Sequence, residues 1–222
     1  MRMFKYLLAV FLAVSASGFP ERITSKDQPH PIFSQYLKRE IAPVLLSYAR
    51  YQNEIIGCVA DEGSSICLSE FDVLEPIIIL KGGGHPLSGM WIQRFQLECD
   101  GLKRYYNLCF RAKSLSEGPL CLPLVMGRSI ACPILQKDVM MQVMMAAYMQ
   151  IPEDERASSD LEMHVIDSKV TQITEPSGCW FYKSAGSWSE EWTVLVAGQE
   201  FYVTIDFKSD GSGGTYFAVS AK

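Results

Sequence analysis

Apolar residues recur at helical spacing from Ile32 to Ile56: Phe33, Leu37, Ile41, Val44, Leu45, Tyr48 and Ile55. Side chains three and four positions apart share one helix face, so the segment predicts a helix packed on a core. Pro43 removes a backbone donor inside the pattern, which predicts a kink or two abutting helices. Gly57 is placed to end it. The pattern then shortens. Pro76 to Leu80 reads as a buried strand, Lys81-Gly82-Gly83-Gly84-His85-Pro86 as a loop, and Met90 to Leu97 as a second strand. Residues 114–135 carry Pro119, Pro123 and Pro133 and read as loop. A methionine-rich helix is expected from Lys137 to Gln150, followed by a charged connection over 152–160.

After residue 160 the period switches from helical to alternating. Gly198-Gln199 fits a two-residue hairpin turn with glycine first. That register sets Val196 opposite Phe201, Val194 opposite Val203 and Trp192 opposite Ile205, all on one face. The loop Asp210 to Gly214 then lets Phe207 face Phe217 and Ile205 face Val219. A three-stranded antiparallel meander over 190–197, 200–208 and 215–221 follows, with strands at 161–167 and 169–174 extending it. Helices early and an antiparallel sheet late define an α+β chain: an N-terminal kinked helix, a disulfide-bridged middle and a C-terminal β-meander. No internal repeat is visible.

The N-terminus changes the setting. Arg2 and Lys5 precede an apolar run from Tyr6 to Val14, and small residues follow at Ser15, Ala16, Ser17 and Gly18. That order is a secretory signal over 1–17, leaving one α+β domain over 18–222, helical and bridged to 159 and antiparallel β from 160. The run is shorter than the roughly 20 residues a spanning helix needs, so no stable membrane span is expected after cleavage. The location is then secreted, periplasmic or cell-surface. The chain carries a formal net charge of −5, and losing Arg2 and Lys5 makes it more acidic. Nucleic acid is not an expected partner, because clustered positive charge supplies that attraction.

Export gives the cysteines a meaning. Six of the seven fall in close pairs, Cys58/Cys67, Cys99/Cys109 and Cys121/Cys132, at intervals of nine, ten and eleven residues. In an oxidising compartment such pairs suggest three local bridges. Asp100-Gly101 works against the middle one. As a tight hairpin turn it pairs Cys99 with Leu102 and carries Cys109 roughly 23 Å away at strand rise. Either that turn belongs to a wider loop or these two cysteines have other partners. Cys179 is left over, as a small buried residue or a partner across the fold or between chains.

Catalytic signals are thin. Ser212 lies in Asp210-Gly211-Ser212-Gly213-Gly214, which reads as a hairpin loop, since no accompanying catalytic His signature is present. An EF-hand register starting at Asp206 places Lys208 and Phe217 at ligand positions and fails. His85 follows three glycines whose amides could form an anion nest, and His30, His85 and His164 lack metal-ligand spacing. Met140/Met144, Met141/Met145 and Met145/Met149 stand one helical turn apart; thioethers bind Cu(I) or simply pack. Aromatics crowd the C-terminal part, and Trp180, Trp188, Tyr202 and Tyr216 are the ones free to stack on sugars or anchor a protein.

The sequence therefore leads to an exported, non-catalytic binding or structural protein without a cofactor. Its partner is a protein or a carbohydrate, and the candidate contacts are Trp180, Trp188, Tyr202, Tyr216 and His85. A hydrolase using His85 or His164 with Asp72 or Glu75 is the alternative, and copper binding by the methionine helix a third.

Overall fold

The computed structural model describes residues 20–24, 30–58, 66–82, 84–99, 101–156, 161–179 and 182–222. The expected signal segment and Trp180 lie outside them. The fold is α+β with two antiparallel sheets. In the first, β1 (Pro20–Ile23), β2 (Cys67–Leu80), β3 (Ser88–Cys99), β4 (Leu102–Arg111) and β5 (Leu120–Pro123) neighbour one another in chain order. In the second, β6 (Met163–Cys179), β7 (Tyr182–Val196), β8 (Gln199–Ser209) and β9 (Thr215–Ala221) do the same. A helical run, α1 (Pro31–Tyr36), a π-helical turn (Leu37–Ile41) and α2 (Ala42–Ile55), precedes β2. Helix α3 (Pro133–Tyr148) precedes β6. Helix followed by a four-strand meander thus occurs twice, a repeat of topology that the sequence does not display. No helix among the described residues is long and apolar enough to cross a membrane.

The kink expected at Pro43 takes a specific form. Proline cannot donate to the carbonyl four residues back, and its ring crowds that carbonyl. The preceding turn widens instead: the Ala42 N–H reaches the Leu37 carbonyl, a five-residue step. The helical path continues through the proline.

By contacts the chain forms two compact units: Met1–Val44, Glu70–Gln93 and Leu108–Leu122 in the first, and Leu45–Ser69, Arg94–Asn107 and Pro123–Lys222 in the second. The first is organised around aromatics. Phe33 meets Trp91 edge-on, with ring centres 5.4 Å apart, and Trp91 stacks on Phe110 at 5.3 Å. Both geometries suit the ring quadrupoles. Ile41, Ile77 and Ile79 are buried with them.

In the second unit α3 and the sheet β6–β9 enclose one core. Leu135, Val139, Val143 and Ala147 of the helix are buried with Trp188, Trp192, Val194, Val196, Val203, Ile205 and Phe207 of the sheet. Helix α3 starts earlier than expected. Pro133 occupies its first turn, where a missing N–H costs nothing. The Cys132 Sγ caps it by accepting from the Leu135 N–H at 3.4 Å. The separate strands expected at 161–167 and 169–174 are one strand, β6, with irregular pairing to β7.

The β7–β8 register departs from the expected one by two residues. Val196 pairs with Gln199, Val194 with Phe201, Trp192 with Val203, Glu190 with Ile205 and Trp188 with Phe207. The turn is Ala197-Gly198, and both residues have positive φ, 48° and 82°, as a twist-matched two-residue turn requires. A two-residue slip keeps every side chain on its own face, so the apolar face survives. The β8–β9 pairs Phe207 with Phe217 and Ile205 with Val219 form as expected. In the connecting loop the Asp210 carboxylate accepts from the backbone of Ser212 at 2.7 Å and of Gly214 at 2.9 Å, a self-contained turn.

On the other face of this sheet Glu191 bridges Lys169 at 2.6 Å and Lys222 at 2.5 Å. Hydrogen bonding to Lys169, then to Lys222, holds its carboxyl below the ordinary 4.5. The lysine side chains are 60% and 66% exposed, so solvent screening limits the gain to about 1 kcal/mol. A depressed carboxylate stabilises the fold above its unfolded-state pKa, and this is lost as pH falls through the folded-state pKa. Glu191→Gln is therefore expected to lower stability by about 1 kcal/mol at neutral pH and to match the parent once both states bind the proton. Urea midpoints of the pair at neutral and strongly acidic pH measure it. A difference that persists in acid removes the assignment.

Candidate functional site

The residues singled out from the sequence do not converge. Trp188 is 3% exposed and stacked on Phe207 with ring centres 4.8 Å apart. It belongs to the core, because it lies on the same strand face as Trp192 and Val194, and it is not available as a surface contact. Tyr202 and Tyr216 are exposed, at 42% and 69%. Tyr216 pairs with Lys208, six residues along β8 from Tyr202, so the two phenols stand about 20 Å apart at strand rise. The Tyr202 hydroxyl donates to Glu200 at 3.1 Å.

His85, in the first unit, is half-buried. Its Nδ1 lies 3.2 Å from the Tyr36 hydroxyl, and the two rings meet edge-on. Burial, and after it the Glu40 charge, push Tyr36 well above the ordinary tyrosine range. The phenol keeps its proton and can donate it to the ring. Gly83, in the middle of the expected anion nest, lies outside the described residues. Among the described residues no cluster of three His, Cys, Asp or Glu could hold a metal.

The cysteines are arranged differently from the local ladder. Cys58 is bonded to Cys99, 41 residues away, with Cα atoms 6.2 Å apart. None of the three expected pairs, Cys58/Cys67, Cys99/Cys109 and Cys121/Cys132, forms. Strand β3 ends at Cys99 and β4 begins at Leu102, which is the tight connection that carries Cys109 away along β4. Cys67, Cys109, Cys121 and Cys132 are thiols in this structure. Burial raises both Cys109 and Cys121 to about 11, so neither is a thiolate nucleophile near neutral pH.

A site that the sequence did not reveal lies in the second unit. A cavity of about 390 Å³ is lined by Tyr48 and Gln52 of α2, by Pro123, Leu124 and Val125, by Pro133, Gln136, Lys137, Met140 and Met144 of α3, and by Met163, His164 and Val165 of β6. Its wall is pinned by hydrogen bonds. The Gln136 Oε1 accepts from the Val125 N–H at 3.0 Å, and its Nε2 donates to the Ala131 carbonyl at 2.8 Å. Asn107 Nδ2 donates to the Val125 carbonyl at 2.7 Å and the Gly127 carbonyl at 3.0 Å. Asn107 in turn accepts from buried Arg94 at 2.8 Å, and Arg94 also donates to the Ser129 carbonyl at 3.0 Å. His164 alternates with Met163 and Val165 on β6, so its ring lies on the opposite face of the strand, where Nε2 is buried and makes no hydrogen bond. The nearest acid, Glu162, keeps its oxygen 3.7 Å away, beyond hydrogen-bond range.

The segment leading into α3 is anchored from the sheet. Glu190 is completely buried. Its Oε1 accepts from the Trp188 indole at 3.0 Å and from the backbone N–H groups of Ile130 at 2.9 Å and Ala131 at 3.2 Å. Its Oε2 accepts from the Trp192 indole at 2.8 Å. A buried carboxylate is tolerated when its lone pairs are filled this way. Glu190, Gln136 and the Arg94–Asn107 pair were all missed from the sequence. Only Glu190 left a trace, as an acid alternating with two tryptophans on an otherwise apolar strand face.

No known protein family matches the chain, and no curated protein or solved structure similar to it is found.

Proposed function

We propose that this is an exported, non-catalytic binding protein that seats a small ligand in the cavity of its second unit. The cavity itself carries the reading. At about 390 Å³ it falls within the 300–1,000 Å³ typical of ligand pockets, with largely apolar walls and few polar groups. Its walls are fixed by buried hydrogen bonds rather than left to close on binding, which limits the ordering cost. The Cys58–Cys99 bridge agrees with an oxidising compartment. A sugar or protein held on exposed aromatics is less well supported, because Trp188 is buried and Tyr202 stands far from Tyr216 along the sheet.

Thermal denaturation against a broad panel of small molecules and ions tests it. A ligand at 100 times its Kd adds about 2.7 kcal/mol, or roughly 5–10 °C for a chain of this size. Val165→Phe, which fills the cavity, should keep the circular dichroism spectrum and abolish the shift. A panel that leaves the parent protein unmoved, or a shift that survives in Val165→Phe, overturns the proposal.

A further inference from the structure

We infer that the ligand of this cavity is a soft monovalent cation, Cu(I) or Ag(I), held by the thioethers of Met140, Met144 and Met163. The inference rests on the cavity being a binding site and names what it takes. Met140 and Met144 stand one turn apart on α3, which places their side chains as neighbours on one helix face. Met163 comes from β6, where it pairs with Val196 and so shares the core face of the sheet. All three are partly buried, pack on the same core cluster and line the same cavity. Neutral sulfur donors select soft d10 ions, whereas carboxylate and carbonyl sites select hard ones. The cavity lining contains no Asp or Glu, so Ca(II) and Mg(II) find no carboxylate there. Methionine also fills cores, but packing alone does not require three thioethers around an open cavity. The other methionines of the helix supply an internal contrast: Met141, Met145 and Met149 are exposed at 74%, 61% and 60%.

The test uses the full chain labelled with ¹³C at the methionine methyls and titrated with Ag(I), a redox-inert stand-in for Cu(I). The resonances of Met140, Met144 and Met163 should shift together over one further equivalent once the free thiols are saturated, while those of Met141, Met145 and Met149 stay in place and Zn(II) moves none. This readout ignores silver bound by the free thiols. Met140→Leu/Met144→Leu conserves volume and should fold normally, while losing one bound ion by native mass spectrometry and at least 100-fold in affinity. Met141→Leu/Met145→Leu should bind like the parent. If the exposed methyls shift as much as the cavity ones, or none shifts, the inference is wrong. If organic ligands from the panel still raise the melting temperature, the cavity proposal survives that failure. If neither ion nor organic ligand engages, both fall.

Discussion

Replacing Glu190 by alanine is expected to destabilise the protein by about 3–5 kcal/mol. Four N–H groups converge on this one carboxylate, from Trp188, Trp192, Ile130 and Ala131. Alanine removes both acceptor oxygens and leaves those donors in an apolar core, where each orphan costs about 1–3 kcal/mol unless water enters. Two of the donors are backbone groups of the segment that leads to Pro133 and α3, so the loss loosens one wall of the cavity too. Glu190→Gln keeps one acceptor oxygen and turns an amide NH2 toward donors, so it should fall between parent and alanine. Urea denaturation followed by tryptophan fluorescence measures the difference, and the melting temperature should drop by roughly 10 °C. An alanine variant within about 1 kcal/mol of the parent means that these hydrogen bonds do not hold the core.

Why the sequence led to part of this and not the rest can be traced to particular residues. The face Phe33, Leu37, Ile41, Leu45 was legible because helical spacing is a local property, and these four are all buried. The meander was legible in its faces but not in its register. Turns at Gly198-Gln199 and Ala197-Gly198 give pairings two residues apart, and a two-residue slip moves no side chain to the other face. Apolar alternation therefore cannot choose between them. Glu190 could have flagged a special position, since a charge on an apolar strand face needs partners. Two of the four donors that satisfy it sit 60 and 59 residues away at Ile130 and Ala131, a distance no local pattern reports. The cavity suffers the same blindness. Met140 and Met144 were readable as one-turn neighbours, but Met163, His164 and Tyr48 join them only through the fold. Trp188 falls before the strand expected over 190–197, whereas β7 runs from Tyr182 to Val196 and carries it into the core.

The cysteines show the same limit, and they give the second large expected effect. Cys99→Ala should lower stability by about 4 kcal/mol, because the bridge it breaks joins residues 41 apart and restrains a long loop in the unfolded chain. A bridge across the nine-residue interval from Cys58 to Cys67 would contribute only about 3 kcal/mol on the same account. Close spacing favoured that local pairing. It lost because Cys58 follows α2 and Cys99 ends β3, and the fold brings these ends to a Cα separation of 6.2 Å, inside the range a disulfide needs. Both residues are buried, at 7% and 2% exposed, so reduction should be slow in the native state and rapid once denaturant opens the chain. Cys58→Ala should match Cys99→Ala, and the double variant should add little, since either single change already breaks the bond. Peptide mapping without reductant should recover the Cys58 and Cys99 peptides as one cross-linked species. Recovery of Cys58 joined to Cys67 would show that proximity in sequence, not the approach of a helix end to a strand end, sets the pairing.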